Sequence, residues 1–347
     1  VNKLEARLGY RYADYSTVGG VNSYKGELTY EPVSSFLVRG SYQRAVRAPN
    51  IEELFQPQVT NFPSFNPPDP CNATSPQRTG PNGAAIRALC LAQGLPADLI
   101  DSFNYANQQV EGLSGGNPDL QEETADTITF GLVFRPNVGA GNLMASIDYY
   151  KIEIEDAISE VTAETFVDRC YNPAYNPNFE LDNFYCNFFT RNSFNGEITD
   201  AAEVQNNIGA IHTSGIDLQV DYTVDVGPGT LGLNWAAAYI EKFDVQELPG
   251  DAFTEYKGTI GSTIASAFPE YKWVTTVRYG IGGADMSLRW RFIDSMKDEG
   301  DPEFKVGSTS YFDLTGSYAF SGNSLEGLVL RAGVTNLTDR DPKIYPN

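Results

Sequence analysis

Leu4, Ala6, Leu8, Tyr10 and Tyr12 interleave with Glu5, Arg7, Gly9 and Arg11 at the start of the chain. A period of two over that length predicts a β-strand with one apolar and one polar face. The alternation returns ten times. It is read around Tyr24–Tyr30, Phe36–Tyr42, Ile128–Phe134, Leu143–Tyr149, Ile216–Tyr222, Leu231–Tyr239, Trp273–Tyr279, Met286–Phe292, Phe312–Phe320 and Leu328–Val334. Eleven strands in an all-β, antiparallel arrangement follow, and no stretch approaches the roughly 18 apolar residues of a membrane-spanning helix.

The links between strands decide what kind of β protein this is. Short links at 31–34, 136–142, 226–229, 280–284 and 321–327 alternate with long loops at 51–121, 157–206, 244–269 and 294–308; the link at 14–22 is the one short member of the second set. A soluble sandwich has no reason to gather its long loops at one end. A transmembrane β-barrel does, because short periplasmic turns alternate with long extracellular loops and an apolar outer wall faces lipid. An open edge in hydrocarbon leaves backbone groups unpaired at several kcal/mol each, so such a sheet is expected to close. Single-chain bacterial barrels have even strand numbers, so eleven strands are read as part of a larger barrel lacking an N-terminal half.

Composition sharpens this reading. The 347 residues are 41% hydrophobic and 12% aromatic, with a net charge of −21. Chains so acidic are poor ligands for phosphate backbones, which removes nucleic acid as a partner. The four long loops hold 24 acidic and 7 basic residues, −17 of the −21. The strands are nearly balanced, with Arg7, Arg11, Arg39, Arg135, Arg278, Arg289, Arg291 and Arg331 at inward positions against Glu5, Glu27, Asp217, Asp221 and Asp313. These arginines are expected to serve mainly in paired charge networks, with Arg39 and Arg291 as candidates for ligand capture.

Cys71 and Cys90 lie 19 apart, and Cys170 and Cys186 lie 16 apart, each pair within a long loop. Four cysteines allow three connectivities, of which proximity favours the sequential one and an oxidising compartment. No C-x-x-C spacing exists and His212 is the sole histidine, so no metal site or cofactor is expected. Gly112-Leu-Ser-Gly-Gly116 matches a nucleophile elbow in letters, but the expected strand before it and helix after it are missing, so no enzyme is predicted. The acidic run Asp298–Glu303 lacks the register of a calcium-binding EF-hand loop and reads as solvated.

Five phrases carry a family resemblance: Arg39–Phe55, Gly116–Asp126, Ile147–Ile158, Ser214–Leu218, and Gly333–Asp339 with Pro342. In this order they resemble the C-terminal part of the barrel of TonB-dependent outer-membrane receptors. The resemblance implies a 22-stranded barrel in the outer membrane of a Gram-negative bacterium, occluded by an N-terminal plug. It also implies outer-membrane lipid around the wall, an inner-membrane TonB-type protein that energises uptake through the plug, and a scarce small-molecule nutrient as ligand. Plug, coupling box and final strand are not within this sequence. The cysteine-bearing loops look like a branch of the family whose suspected cargoes include plant-derived oligosaccharides. Aromatic faces beside Asn and Asp suit sugar rings, so an oligosaccharide held by Phe184, Tyr185, Phe188 and Phe189 is the preferred expectation. The alternatives are a ferric siderophore, or an ungated porin or adhesin barrel.

Overall fold

The computed structural model describes residues 2–63, 65, 69–107, 109–261, 266–322 and 325–345. Eleven strands form one sheet: β1 Lys3–Tyr15, β2 Gly19–Val33, β3 Phe36–Arg47, β4 Glu123–Phe134, β5 Gly141–Glu160, β6 Ala201–Val226, β7 Gly229–Gln246, β8 Tyr271–Ile281, β9 Ala284–Ile293, β10 Thr309–Ala319 and β11 Val329–Val334. Each pairs antiparallel with its neighbour in sequence. Among the described residues β1 and β11 have one neighbour each in this row, so the sheet is open at both edges and the expected closure is absent from this chain.

Register keeps the two faces separate across the sheet. Leu233 lies opposite Val277, Val277 opposite Leu288, Leu288 opposite Leu314, and Leu314 opposite Val334. A slip of one residue would reverse every such side chain, so this continuity shows that alternation sets the pairing. Leu8, Leu28, Phe130, Ile147, Met286 and Leu330 on that face are all exposed. An apolar surface of that extent calls for an apolar solvent or partner. Aromatic rings flank it: Tyr239 stacks on Tyr271 at 4.9 Å and Trp273 on Phe292 at 3.8 Å towards one end, and Tyr318 meets Phe320 at 4.8 Å at the other.

Tight turns close one end of the sheet. β8 and β9 pair through Ile281 and Ala284, leaving Gly282 and Gly283 to reverse the chain, and Gly282 takes φ +56°. Two-residue hairpins need that left-handed backbone, which glycine adopts without strain. All four long connections leave from the opposite end.

Loop boundaries shift from expectation by one to three residues at 48–122 and 247–270, and by more between β5 and β6. β5 runs to Glu160 and β6 begins at Ala201, so their connection is 161–200 rather than 157–206. β6 has 26 residues and β5 has 20, against the roughly 9–11 that cross a bilayer. Their far ends pair with each other through irregular register at Asn207, Gly209 and Ile211. Val204, Ile208 and Ala210 are buried there. Ala201 and Ile208 join the buried cluster of the loops, so this stretch packs against loop residues in place of standing exposed.

The buried core lies in the loops instead of the sheet. Phe65, Ile86, Leu89, Leu95, Ile100, Phe166, Val167, Tyr171 and Leu248 belong to one cluster that includes all four cysteines. Disulfides join Cys71 to Cys90 and Cys170 to Cys186, the sequential pairing. Helices α1 Ile51–Phe55, α2 Pro76–Thr79, α3 Gly83–Ala92 and α4 Ala163–Cys170 all belong to this cap.

Candidate functional site

Two regions hold the residues singled out by sequence: the polar face of the sheet and the cap. On the polar face Arg39 makes a two-pronged ion pair with Asp148, at 2.8 Å from Nε and 2.7 Å from Nη2. Gly131 sits between them in the register, and a Cβ there would stand 1.9 Å from the Asp148 carboxylate. Its missing side chain is what lets the two charges meet across a strand. Arg291 approaches Asp313 at 3.2 Å and lies over the Tyr311 ring at 5.3 Å. Both arginines line one hollow of about 530 Å³ with Asp217, Lys272 and Tyr311. The rest of this face is similarly bonded strand to strand: Ser41 with Thr129 at 2.6 Å, Asn234 to Asp221 at 2.6 Å, Ser287 with Thr315 at 2.7 Å. Arg39 and Arg291 thus enter as members of paired networks.

Phe184, Tyr185 and Phe188 stand on a single 3-10 turn, Phe184–Phe188, followed by Phe189. Tyr185 and Phe189 are each only 4% exposed. Phe188 stacks on Phe166 at 3.9 Å, and Phe189 packs near Tyr171. Tyr185 donates to the carbonyl of Pro249 at 2.7 Å, while Arg169 lies over the rings of Tyr175 and Tyr185 and pairs with Asp251 at 2.6 Å. The four aromatics do come together, as a seam that fastens loop 161–200 to loop 247–270. Phe184, 41% exposed, is the one that turns a ring outward. As a stacking platform for sugar rings the set is therefore largely occupied by the protein itself.

A second fastening was not legible in the sequence. Arg191 and Asp69 form an ion pair with both side chains fully buried, with 2.8 Å contacts from each terminal nitrogen. Arg191 also donates to the Tyr171 hydroxyl at 3.3 Å and to the carbonyl of Gly196 at 2.9 Å. Burial alone would lower the Arg191 pKa, but Asp69 and Tyr171 beside it outweigh that and hold the guanidinium charged. Burial pushes Tyr171 up to about 12. Asp69 precedes one disulfide and Tyr171 follows a cysteine of the other, so this triad bonds the two stapled loops to each other.

Two of the quoted phrases meet in space. Asn50 caps α1, accepting from Glu53 N while the Glu53 carboxylate accepts from Asn50 N, both at 2.8 Å. Gly116 N donates to Gln56 O and Asn117 N to Glu53 O. The approach is so close that a Cβ on Gly116 would stand 2.7 Å from backbone atoms of Leu54 and Gln56. Arg47 pairs with Glu53 at 3.0 Å and with Glu123, tying the turn to the mouth of the sheet.

The motif around Ser114 is no elbow. Gly112–Gly115 is a short strand paired with Val59–Asn61 and, in parallel, with Ala201–Val204. His212 pairs with Glu155 at 3.0 Å and stacks on Phe253 at 4.4 Å. Neither arrangement presents an activated nucleophile.

Comparison with known proteins decides the family. The profile for "TonB dependent receptor-like, beta-barrel" matches residues 1–337. The chain belongs to the TonB-dependent receptor β-barrel family. No curated protein matches it. Among solved structures, it is similar to the siderophore receptor PirA from Acinetobacter baumannii, at 16% identity, TM-score 0.56, and coverage of 98% of this chain and 40% of that one. A variant of the ferric enterobactin receptor PfeA from Pseudomonas aeruginosa aligns at 15% identity, TM-score 0.57, and coverage of 98% and 38%. PirA from Pseudomonas aeruginosa aligns at 16% identity, TM-score 0.51, and coverage of 97% and 42%. The chain spans about 40% of the length of these structures. At such identities the likeness establishes the fold. TonB-dependent receptor barrels sit in outer membranes and take up ligands, and the eleven strands, apolar face and one-ended loops found here fit that architecture.

Proposed function

We propose that the chain is the C-terminal half of the barrel of an outer-membrane receptor that takes up a scarce small-molecule nutrient in a Gram-negative bacterium. Lipid covers the apolar face, the cap stands outside the cell over the barrel mouth, and the polar face surrounds a plug through which a TonB-type protein supplies energy. The observation that carries this reading is the family match across the sheet, joined to a register that keeps one face apolar over all eleven strands.

For the ligand, the balance moves from an oligosaccharide towards a ferric siderophore. The aromatic cluster that favoured a sugar is spent on packing, and the solved neighbours are named as siderophore receptors. The cap adds a condition on charge. Arg78, Arg87, Arg169 and Arg191 are each bound to a carboxylate, so the unpaired charge of the loops is acidic. Exposed charge acts over a Debye length of about 8 Å at physiological salt, which disfavours an anionic chelate at the mouth. A neutral or cationic ferric chelate fits best.

Deletion of the full-length gene should abolish energy-dependent uptake of one class of iron chelate, and the intact receptor should restore it. Uptake unchanged across neutral, cationic and anionic chelates, with loss of oligosaccharide uptake instead, would restore the sugar reading. Passive diffusion of many solutes through the purified receptor would mark an ungated porin.

A further inference from the structure

Where the two stapled loops 48–122 and 161–200 meet, a half-open hollow lies apart from the polar wall of the sheet. It has a volume of about 670 Å³ and is lined chiefly by Phe62, Tyr105, Asn107, Gln109, Glu111 and Glu197. Among the described residues no Lys, Arg or His lines it. We propose that this hollow binds a small molecule that donates hydrogen bonds and carries no net negative charge, an inference that rests on the receptor reading above.

The lining is set by the cap's own fastenings. Asn72, 2% exposed and next to Cys71, accepts from Tyr105 N at 2.7 Å and donates to Tyr105 O at 3.1 Å. That clamp holds the Tyr105 ring at the rim. The Tyr105 hydroxyl donates to Gln109 O at 2.5 Å, and Gln109 Nε2 donates to Phe62 O at 3.0 Å. The Tyr105 hydroxyl and one of the two Gln109 amide hydrogens are thereby engaged, while the Gln109 amide oxygen makes no hydrogen bond among the described residues. Across the seam one Glu197 oxygen accepts from Asn195 at 2.8 Å. Glu111 has no side-chain hydrogen bond among the described residues, and its carbonyl accepts from Ala201 N at 3.2 Å. The parallel pairing of Gly112–Gly115 with Ala201–Val204 and the buried Asp69–Arg191 pair hold the two walls at fixed separation.

Two carboxylates, the amides of Asn107 and Gln109 and two aromatic faces are what remain for a ligand, with no cation beside them among the described residues. Phe62 is 61% exposed, whereas Phe65 and Phe103 of the same loop are buried. An anion entering would meet two carboxylates with nothing to neutralise it, at the full cost of like-charge approach. A hydroxyl or an ammonium group would meet acceptors on two sides and a ring face for its carbon skeleton or its charge. Walls fixed before binding spare the ligand the cost of ordering the loops. Two kinds of molecule share this chemistry: a ferric chelate with an ammonium arm and a neutral oligosaccharide.

Titration calorimetry on the intact receptor separates them, with ferrioxamine B as a cationic ferric trihydroxamate, xylohexaose as a neutral oligosaccharide, and ferric enterobactin as an anionic chelate. Phe62→Ala and Glu111→Lys change exposed side chains that the cap core does not use. Phe62→Ala should weaken the bound probe about tenfold or more. Glu111→Lys should weaken ferrioxamine B by a similar factor, with a salt dependence that the variant removes; if xylohexaose is the bound probe, its affinity should move less than about threefold. The proposal is overturned if neither of these two probes binds, if both variants bind as the unmodified receptor does, or if ferric enterobactin binds and Phe62→Ala weakens it. Unchanged binding in the variants of a receptor whose deletion abolishes uptake rejects the seam site alone. No uptake phenotype on deletion rejects the receptor reading itself.

Discussion

Asp69 and Arg191 show why single residues in the cap were hard to read. They lie 122 positions apart, one beside a cysteine and one in a run of asparagines and phenylalanines, and nothing local distinguishes them from solvated loop charges. Only the fold removes water from both. A buried charge left without its partner costs roughly 3–5 kcal/mol, so Asp69→Asn should loosen the cap by about that amount, read as hydrogen-exchange protection around Ile86–Leu95 and Phe166–Tyr171. Unchanged protection there would show that the pair contributes nothing net. Tyr171 adds a pH dependence. Its pKa rises from 10 to about 12 on burial, so the folded cap holds this proton more tightly than the unfolded chain. Stability is then full below pH 10 and falls as pH rises from about 10 towards 12, by up to roughly 2–3 kcal/mol. Tyr171→Phe should flatten that alkaline slope, measured by denaturation at a series of pH values, even if the variant begins less stable.

Strands were the most legible elements, because alternation is written into each one independently of the others. All eleven stand where the period of two placed them, and the paired rows confirm the face of each. What the pattern could not reveal was where β5 and β6 continue past the apolar band, since there residues such as Ala201 and Ile208 are buried against loop residues far away in sequence. The two faces predict opposite responses. Leu288→Arg or Leu314→Arg would place a charge on the apolar face at about 2–4 kcal/mol, whereas Ser287→Arg adds one charge to a polar face already rich in arginine. Folding titrations of the full receptor into liposomes should rank Ser287→Arg well above both leucine variants, and the reverse order would mean the faces are exchanged. Gly131→Ala tests the polar face from within. The added methyl collides with the Asp148 carboxylate where it meets Arg39, and crowding of that kind costs about 1–3 kcal/mol. An unchanged stability would show that Asp148 swings away freely and that the Arg39 pair is dispensable.

At the scale of the molecule, the chain has two parts that obey different rules: a sheet whose hydrophobic residues face outward, and a cap whose hydrophobic residues face each other. The cap's aromatics were visible in the sequence as candidate ligand contacts, but a list of aromatic residues does not say whether rings face a ligand or one another; in the structure Tyr185, Phe188 and Phe189 pack with residues of the other loops. Tyr185 reaches Pro249, Arg169 reaches Asp251, Arg191 reaches Asp69, and Leu248 from the third loop is buried in the same core. Such a cluster should open as one cooperative unit, in the way contiguous cores define units of local unfolding. Replacing Cys170 and Cys186 with Ala tests this directly. A closed loop of this length stabilises by roughly 3 kcal/mol, and because the core is shared, loss of that staple should raise hydrogen exchange in the intact loop 48–122 and in loop 247–270 as well as in loop 161–200. Exchange that rises in loop 161–200 alone would mean three loops that fold separately and merely touch. A common rise, with the strands β8 to β10 still protected, would establish the cap as a single body standing on the sheet, and any ligand held in its seam would then move with the whole of it.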